Sequence, residues 1–242
     1  MCMKACLNCP PRNLTSLSGA VILQLSAVST KCFFLRTIDN YERLHPRDRR
    51  RNGIVLKFSK VTTTVTAFIT FNEGCPFDGG TFEFVFDFQR DYDLIGPKIT
   101  LRTKMWHPSV DQTDGFVYFN GNYWADNWSI YEFAPRLKSW MCTLDYSRLV
   151  EMEIVDQAIN HPELFEKTAR FWTTKYAGGS EPLDEQYEKS VQYLMAAGFS
   201  EEKATRELSL NQWVLKKSVS TELMTAGLKL GLSPSSSIHK LP

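Results

Sequence analysis

The chain lacks the long apolar segments and the charge excess that mark several common classes of protein. No run of about 18 apolar residues occurs, so the sequence predicts no membrane-spanning helix. Lysine and arginine number 28 against 27 aspartates and glutamates, giving a net charge of +1, so the overall charge favours neither nucleic acid nor an anionic membrane as a partner. At 242 residues, 43% of them hydrophobic, the chain has room for one medium domain and one small domain with ordinary cores.

Cysteine is scarce and irregularly spaced. The six cysteines do not form the paired pattern of a secreted disulfide framework, which indicates reduced thiols. Cys2, Cys6 and Cys9 have the C-x3-C-x2-C spacing by which radical-SAM enzymes hold an iron–sulfur cluster, but no barrel-sized β/α repeat follows them. We therefore expect no metal and no other cofactor. No cysteine lies between Cys75 and Cys142, so the middle of the chain has no thiol.

Residues 1–32 show no recognisable domain pattern. The apolar run Gly19–Leu25 follows Lys4 and Arg12, an arrangement that a secretory signal peptide would also have. The run is short and contains Gln24. A disordered or spurious leader is therefore favoured over a signal peptide.

Four strands are predicted after the leader and a short amphipathic helix over residues 35–44. Short turns join them, which predicts an antiparallel meander. The third strand is the clearest, because phenylalanine at every second position gives it one core-facing side. The predicted strands are Ile54–Phe58, Thr64–Phe71, Thr81–Phe88 and Ile99–Thr103.

A long polar loop separates the fourth strand from the next helix. It starts at His107-Pro108, contains turn residues over 111–115, and ends where Ser129 and Glu132 form a capping box. A loop of this length between a strand and a well-capped helix is usually where functional residues lie.

The second half of the chain is predicted to be helical. Pro135 lies inside the helix that starts after Ser129, which predicts a bend because an interior proline costs ~3 kcal/mol or kinks the helix. Two further helices follow, and Pro162 suits the first turn of the second. A Gly- and Ser-containing linker over 178–183 then leads to three short helical patterns, and a Ser-rich tail is predicted to be disordered over 224–242.

Three separated motifs resemble those of the ubiquitin-conjugating enzyme family, in the same order and spacing. They are Pro76-Phe77-Asp78-Gly79-Gly80 with the strand after it, Trp106-His107-Pro108 with Gly115 and Trp124, and Phe165–Arg170 with Trp172 and Lys175-Tyr176-Ala177. The resemblance covers residues 33–177. It implies an α+β fold, in which a four-stranded antiparallel meander sheet packs with helices, and a cytoplasmic or nuclear location.

Two substitutions fall where that family carries out its chemistry. The family has His-Pro-Asn, and this chain has His107-Pro108-Ser109; the family's ubiquitin-carrying cysteine corresponds to Tyr118. A tyrosine phenol titrates near ~10 against ~8.5 for a thiol and is the weaker nucleophile. No catalytic residue is therefore expected, and His107 and Pro108 are interpreted as structural. Ser109 is either a short-armed hydrogen-bond donor or a loop serine that caps nearby backbone.

The three C-terminal helical patterns, residues 184–223, resemble a UBA domain, in which a Met-Gly-Phe loop and the third helix bind the apolar patch of ubiquitin. The residues that the resemblance assigns to ubiquitin binding are Ala197, Gly198, Phe199, Val219 and Leu223. Ala197 replaces the methionine and so removes a flexible apolar side chain. A plain three-helix bundle is the alternative interpretation.

Three functions remain open for the chain. It is a non-catalytic ubiquitin-binding protein that docks an active conjugating enzyme or a ligase, an enzyme that uses the displaced thiol of Cys75 or Cys142, or a decayed paralogue. The family has prolines where this chain has Gln89, Asp93 and Gly96, which makes docking of the usual partners doubtful. The first function is favoured, with ubiquitin as partner and neither nucleic acid nor membrane.

Overall fold

The computed structural model describes residues 53–59, 62–72, 74–88, 96–118, 129–144 and 151–218. Several predictions concern other parts of the chain and lie outside the described residues. These are the leader, the helix over 35–44, the roles of Gln89, Asp93 and Trp124, the ubiquitin-binding roles of Val219 and Leu223, and the disordered tail over 224–242.

A four-stranded antiparallel sheet lies at the centre of the fold. Its strands are β1 (Ile54–Phe58), β2 (Thr64–Thr70), β3 (Thr81–Asp87) and β4 (Lys98–Leu101). They pair in the order β1-β2-β3-β4, each antiparallel to the next. The predicted meander is confirmed, with strand ends shifted by one or two residues.

The inner face of β3 is a row of phenylalanines. Phe82, Phe84 and Phe86 are completely buried. Phe71 and Phe77 approach Phe82 edge-on, with ring centroids 5.4 and 6.1 Å away, the arrangement that the ring quadrupoles favour. The prediction that these phenylalanines form the core is confirmed.

In the described part of the chain, five helices follow the sheet: α1 (Ile130–Thr143), α2 (Met152–Asn160), α3 (Pro162–Ala177), α4 (Glu185–Ala196) and α5 (Glu201–Leu210). The predicted capping box starts α1, where the Ser129 N–H donates to Glu132 Oε2 at 2.8 Å. The helix runs unbroken through Pro135, and the predicted bend stays a prediction. Pro162 occupies the first turn of α3, as predicted.

The C-terminal helices match the first two helical patterns predicted for residues 184–223. The Ser200 hydroxyl accepts a hydrogen bond from the Lys203 N–H at 3.3 Å and caps α5, as its sequence position predicts. Residues 215–218 form one further helical turn. Since the remainder of the third pattern lies outside the described residues, the three-helix UBA bundle stays a prediction.

Helices α4 and α5 pack directly onto α3, and Trp213 is the centre of that contact. The Trp213 ring stacks on Tyr187 with centroids 3.7 Å apart and meets Phe171 edge-on at 4.9 Å. Its Nε1–H donates to Thr168 Oγ1 at 2.9 Å. Trp213 adopts a left-handed backbone conformation, with φ of 60°, a geometry that non-glycine residues seldom adopt without surrounding contacts to hold it.

A buried chain of hydrogen bonds runs beside this aromatic contact. The Trp106 Nε1–H donates to Gln157 Oε1 at 2.8 Å, and the Gln157 side-chain amide donates to the Ser209 carbonyl at 3.1 Å. The Trp172 Nε1–H donates to Ser209 Oγ at 2.9 Å. All four residues are at most 4% exposed. Helix α5 is therefore joined to the fold through buried polar groups that hydrogen-bond to each other instead of to water.

Charged residues and the linker complete the attachment of the C-terminal helices. The Lys175 ammonium, with its side chain only 8% exposed, pairs with Glu188 at 2.7 Å and Glu201 at 2.8 Å. Within the predicted linker, Ser180 Oγ donates to Asp78 Oδ2 at 2.9 Å. The segment over 178–183 is therefore bonded to the turn before β3.

Candidate functional site

The polar segment after β4 folds into a hairpin, which we call the 107–118 hairpin. Val110 pairs with Val117 in an antiparallel bridge. The Asp111 N–H donates to the Phe116 carbonyl at 2.9 Å, and the Val117 N–H donates to the Ile99 carbonyl at 3.0 Å. The segment predicted as a loop thus extends the edge of the sheet at β4 through residues 115–117.

The hairpin turn is fixed by one aspartate and one glycine. Asp111 Oδ1 accepts hydrogen bonds from the N–H groups of Thr113 and Asp114, at 2.7 and 3.4 Å. Gly115 has a φ of +72°, and a Cβ there would collide with the Leu101 carbonyl oxygen. Only glycine fits this position without displacing β4.

Gln112 and Glu151 hold the outer side of the hairpin. The Gln112 side-chain amide donates to the carbonyls of Met105 at 2.9 Å and Val110 at 3.2 Å. Its backbone N–H donates to Glu151 Oε1 at 2.9 Å. Sequence reasoning did not select either residue, because Gln112 and Glu151 are 39 residues apart in the sequence.

Ser109 and Tyr118, the two positions predicted to depart from the family, are bonded to each other across the hairpin. The Tyr118 N–H donates to the Ser109 carbonyl at 2.9 Å. Ser109 is completely buried, whereas Tyr118 is half-buried with its ring edge-on to Phe116 at 4.5 Å. A bulky ring therefore lies opposite a serine that is enclosed by protein.

His107 is completely buried between the hairpin and α1. Its Nδ1 accepts the Ser109 N–H at 3.1 Å, so Nε2 carries the proton and donates to the Met141 carbonyl at 3.2 Å. Burial lowers the pKa of His107 to about 4, because a charged imidazolium is poorly solvated there. The imidazole is neutral at pH 7 and joins the hairpin to the end of α1.

The two candidate displaced nucleophiles lie against each other. Cys75 follows β2 and is 4% exposed, and Cys142 lies near the end of α1 and is half-buried. A hydrogen bond from the Cys142 thiol lowers the pKa of Cys75 to about 7 and raises that of Cys142. Tyr118 lies elsewhere, on the hairpin beside β4.

A cleft of about 270 Å³ separates the hairpin turn from α5. Charges of both signs line it: Lys104 pairs with Glu202 at 2.6 Å, and Arg206 lies 3.8 Å from Glu151. Among the described residues, no cluster of His, Cys, Asp and Glu could hold a metal ion. In the same part of the chain, no helix is long and apolar enough to cross a membrane.

The residues predicted to bind ubiquitin are only partly visible. Ala197 and Gly198 are exposed in the turn between α4 and α5, and Phe199 is half-buried beside them. Gly198 has a φ of 97°, which a glycine adopts freely. The other two predicted residues, Val219 and Leu223, lie outside the described residues.

Sequence reasoning missed the polar residues that join the C-terminal helices to the fold. Gln157 is the most informative of them, because it is 4% exposed yet polar. A sequence signal did exist: Gln157 falls on the apolar face that Ile154 and Ala158 define in α2. A glutamine on such a face needs partners for both ends of its amide, and these are Trp106 and Ser209.

Comparison with known proteins agrees with the fold. The profile described as "Ubiquitin-conjugating enzyme" matches residues 39–173. Ubiquitin-conjugating enzyme E2 21 of Caenorhabditis elegans is 27% identical over 157 residues, covering 64% of this chain and 73% of that protein. Ubiquitin-conjugating enzyme E2 K of Homo sapiens is 26% identical over 151 residues, covering 62% and 74%.

A solved structure gives the same result at the level of architecture. The E2 domain of a Toxoplasma gondii ubiquitin conjugating enzyme superposes with a TM-score of 0.52 at 20% identity, covering 61% of this chain and 99% of that one. The fold is thus that of the ubiquitin-conjugating enzymes, an antiparallel meander flanked by helices. Since the family profile matches more than half of the sequence, the chain belongs to the ubiquitin-conjugating enzyme family.

Proposed function

We propose that this protein is a non-catalytic member of the family, which binds ubiquitin through its C-terminal helices and docks an active conjugating enzyme or a ligase. The observation that carries the proposal is the pair of residues across the 107–118 hairpin. Tyr118 stands where the family has its ubiquitin-carrying cysteine, and its backbone bonds to the completely buried Ser109.

The chemistry of Tyr118 and Ser109 argues against ubiquitin transfer by this protein. A thiolate is a better nucleophile than the phenol of a tyrosine. The Ser109 side chain is shorter than asparagine and is enclosed by protein. It therefore lacks the reach of a donor aimed at a developing oxyanion. His107, neutral and bonded at both ring nitrogens, has a structural role in this proposal.

Ubiquitin binding is supported by the turn between α4 and α5. Ala197 and Gly198 are exposed there, next to the half-buried ring of Phe199. Small residues beside an aromatic ring leave an open apolar spot for a partner side chain to cover. Because Ala197 stands where a UBA domain has methionine, the apolar contact with ubiquitin is smaller than in that domain, and binding is expected to be weak.

The test is a charging assay with ubiquitin-activating enzyme, ATP and ubiquitin. We expect no reductant-sensitive ubiquitin adduct on the full chain, while an active family member in a parallel reaction forms one. The variants Cys75→Ala and Cys142→Ala provide the matched comparison. An adduct on the unmodified chain that either variant abolishes would replace this proposal with an enzyme that uses a displaced thiol.

A further inference from the structure

Two segments distant in sequence bring a pair of thiols together beside α1. The segment after β2 carries Asn72 and Cys75, and the Cys75 thiol lies 3.8 Å from the Asn72 carbonyl. Helix α1 carries Lys138 and Cys142 one turn apart, hence on the same side of the helix. Lys138 Nζ donates to Asn72 Oδ1 at 2.9 Å. These four residues form a small cluster across two elements.

The surroundings of the pair shift the pKa values of its two thiols in opposite directions. The Cys142 thiol donates a hydrogen bond to the Cys75 sulfur, the Phe77 N–H donates to the same atom, and the Lys138 ammonium is close to both. These interactions outweigh burial and the nearby Asp78 carboxylate and bring the pKa of Cys75 down to about 7. Near neutral pH, Cys75 carries much of the thiolate and Cys142 keeps its proton.

We propose that Cys75 and Cys142 are an oxidation site, at which a peroxide converts the thiol pair into a reversible disulfide. Cys75 is the sulfur that meets the peroxide, and Cys142 is the sulfur that resolves the product. The inference is independent of the proposed ubiquitin binding, since it uses no residue of the turn between α4 and α5.

The chemistry balances with hydrogen peroxide as the oxidant. The Cys75 thiolate attacks one oxygen, the O–O bond breaks, and the released hydroxide takes up a proton to leave as water. This gives a sulfenic acid at Cys75. The Cys142 sulfur then attacks the Cys75 sulfur, the S–O bond breaks, and the departing hydroxide leaves as a second water with the thiol proton. Two thiols are oxidised, and one peroxide is reduced to two waters.

The geometry suits this sequence of steps. A disulfide bond is ~2.05 Å long, and the two sulfur atoms are already neighbours, because the Cys142 thiol is a hydrogen-bond partner of Cys75. Cys75 itself is only 4% exposed, but its neighbour Cys142 is half-buried rather than enclosed, and hydrogen peroxide is close to water in size. The bond would join α1 to the segment after β2, which Lys138 and Asn72 already hold together.

The experiment uses the full chain with Cys2, Cys6, Cys9 and Cys32 changed to serine, so that only this pair of cysteines remains. Hydrogen peroxide is added, and the chain is digested without reductant and analysed by mass spectrometry. We expect one cross-linked peptide pair that contains Cys75 and Cys142, lost after treatment with dithiothreitol. Oxidation of both sulfurs to sulfinic acid without a cross-link would overturn the proposal.

A rate measurement tests the role of Cys142 separately. Alkylation of Cys75 by iodoacetamide at pH 7 is expected to be about tenfold slower in Cys142→Ala, because removal of the donor raises the pKa of Cys75 toward its ordinary value of ~8.5. An unchanged rate in a folded variant would contradict the assignment. Should Cys142→Ala fail to fold, the cross-link on the unsubstituted pair remains decisive.

Discussion

Tyr118, which we propose corresponds to the family's cysteine, is held in the hairpin by its backbone. The bond from the Tyr118 N–H to the Ser109 carbonyl does not depend on which side chain residue 118 carries. A cysteine introduced there would therefore stand opposite the same buried serine. The question at the residue scale is whether a thiol at residue 118 would be sufficient for ubiquitin transfer.

We expect Tyr118→Cys to charge poorly with ubiquitin and to discharge slowly to lysine. Losing one well-placed oxyanion donor costs ~10²–10³ in rate, and Ser109 lacks asparagine's reach. Adding Ser109→Asn should improve discharge more than charging, because the donor acts when the amine attacks. Both steps are measured for the single and the double variant. Efficient transfer by Tyr118→Cys alone would show an intact site and remove the support for a docking protein.

His107 makes stability depend on pH. Its folded-state pKa of about 4 lies below the unfolded value of ~6.5, so the unfolded chain binds the proton more readily. The stability that neutral His107 supplies is present above pH ~6.5 and is lost as the pH falls from there through about 4. The loss amounts to roughly 3 kcal/mol for this shift. As the pH is lowered from about 6.5 to 4, we expect the urea midpoint of the unsubstituted protein to fall more steeply than that of His107→Gln. Parallel plots of midpoint against pH for the two proteins would contradict this.

At the scale of elements, α3 is shared by two parts of the chain. Phe171 and Trp172 are each 2% exposed, and their partners include Trp213 and Ser209 from the C-terminal part. Lys175 on the same helix pairs with α4 and α5. Without the residues that follow α3, the side of the helix that carries these residues would lose its packing partners.

A chain ending at Ala177 is expected to be strongly destabilised. Truncation exposes Phe171 and Trp172, and burial of each large aromatic side chain stabilises a fold by ~1.5–3 kcal/mol. The measurement is thermal unfolding by circular dichroism beside the full chain. A truncated chain with the same melting temperature would show that the C-terminal contacts contribute nothing to the fold.

Gln157 tests the hydrogen bonds between α2 and α5. Gln157→Met keeps the volume but leaves the Trp106 Nε1–H and the Ser209 carbonyl without their partner. Leaving a buried polar group unsatisfied costs ~1–3 kcal/mol, so for these two groups we expect a loss of about 2–6 kcal/mol in unfolding free energy. Gln192→Met, on the exposed face of α4, is the matched control and should change little. Equal losses of unfolding free energy in the two variants would show that the buried hydrogen bonds of Gln157 do not stabilise the fold.

At the scale of the whole molecule, the docked C-terminal helices restrict how ubiquitin binding is tested. Deletion of residues 178–242 would damage the fold as well as the binding surface, so a point change is the better probe. We expect Phe199→Ala to abolish most of a weak interaction, because Phe199 is the large apolar group at the turn. Chemical-shift titration with labelled ubiquitin measures it, and Ile159→Ala, an exposed apolar residue on α2, is the control. Unchanged affinity in Phe199→Ala would exclude this turn.

Much of the fold follows from local patterns in the sequence. The alternation in β3, the capping box at Ser129 and the N-cap at Ser200 are read within a few neighbouring residues, and all three were predicted. The 107–118 hairpin was only half predicted: its turn residues are local signals, but the pairing of Val117 with Ile99 joins separate segments.

The docking of the C-terminal helices was not predicted at all, for the same physical reason. Gln157 finds its partners 51 and 52 residues away, and Trp213 bonds to a residue 45 positions earlier. A polar side chain does not carry in its own neighbourhood the identity of a distant partner. The thiol pair is a similar case, since Cys75 and Cys142 become neighbours only once α1 packs beside the segment after β2.

The position of Trp213 on α3 has a consequence for synthesis of the chain. The surface of Phe171 and Trp172 leaves the ribosome well before the residue that covers it. At about 5–20 residues per second, the stretch from Ala177 to Trp213 takes roughly two to seven seconds to translate. During that interval the nascent chain presents a bare aromatic surface of the kind that chaperones bind. Slow codons placed after residue 177 would therefore lower the yield of soluble protein more than the same codons placed before β1.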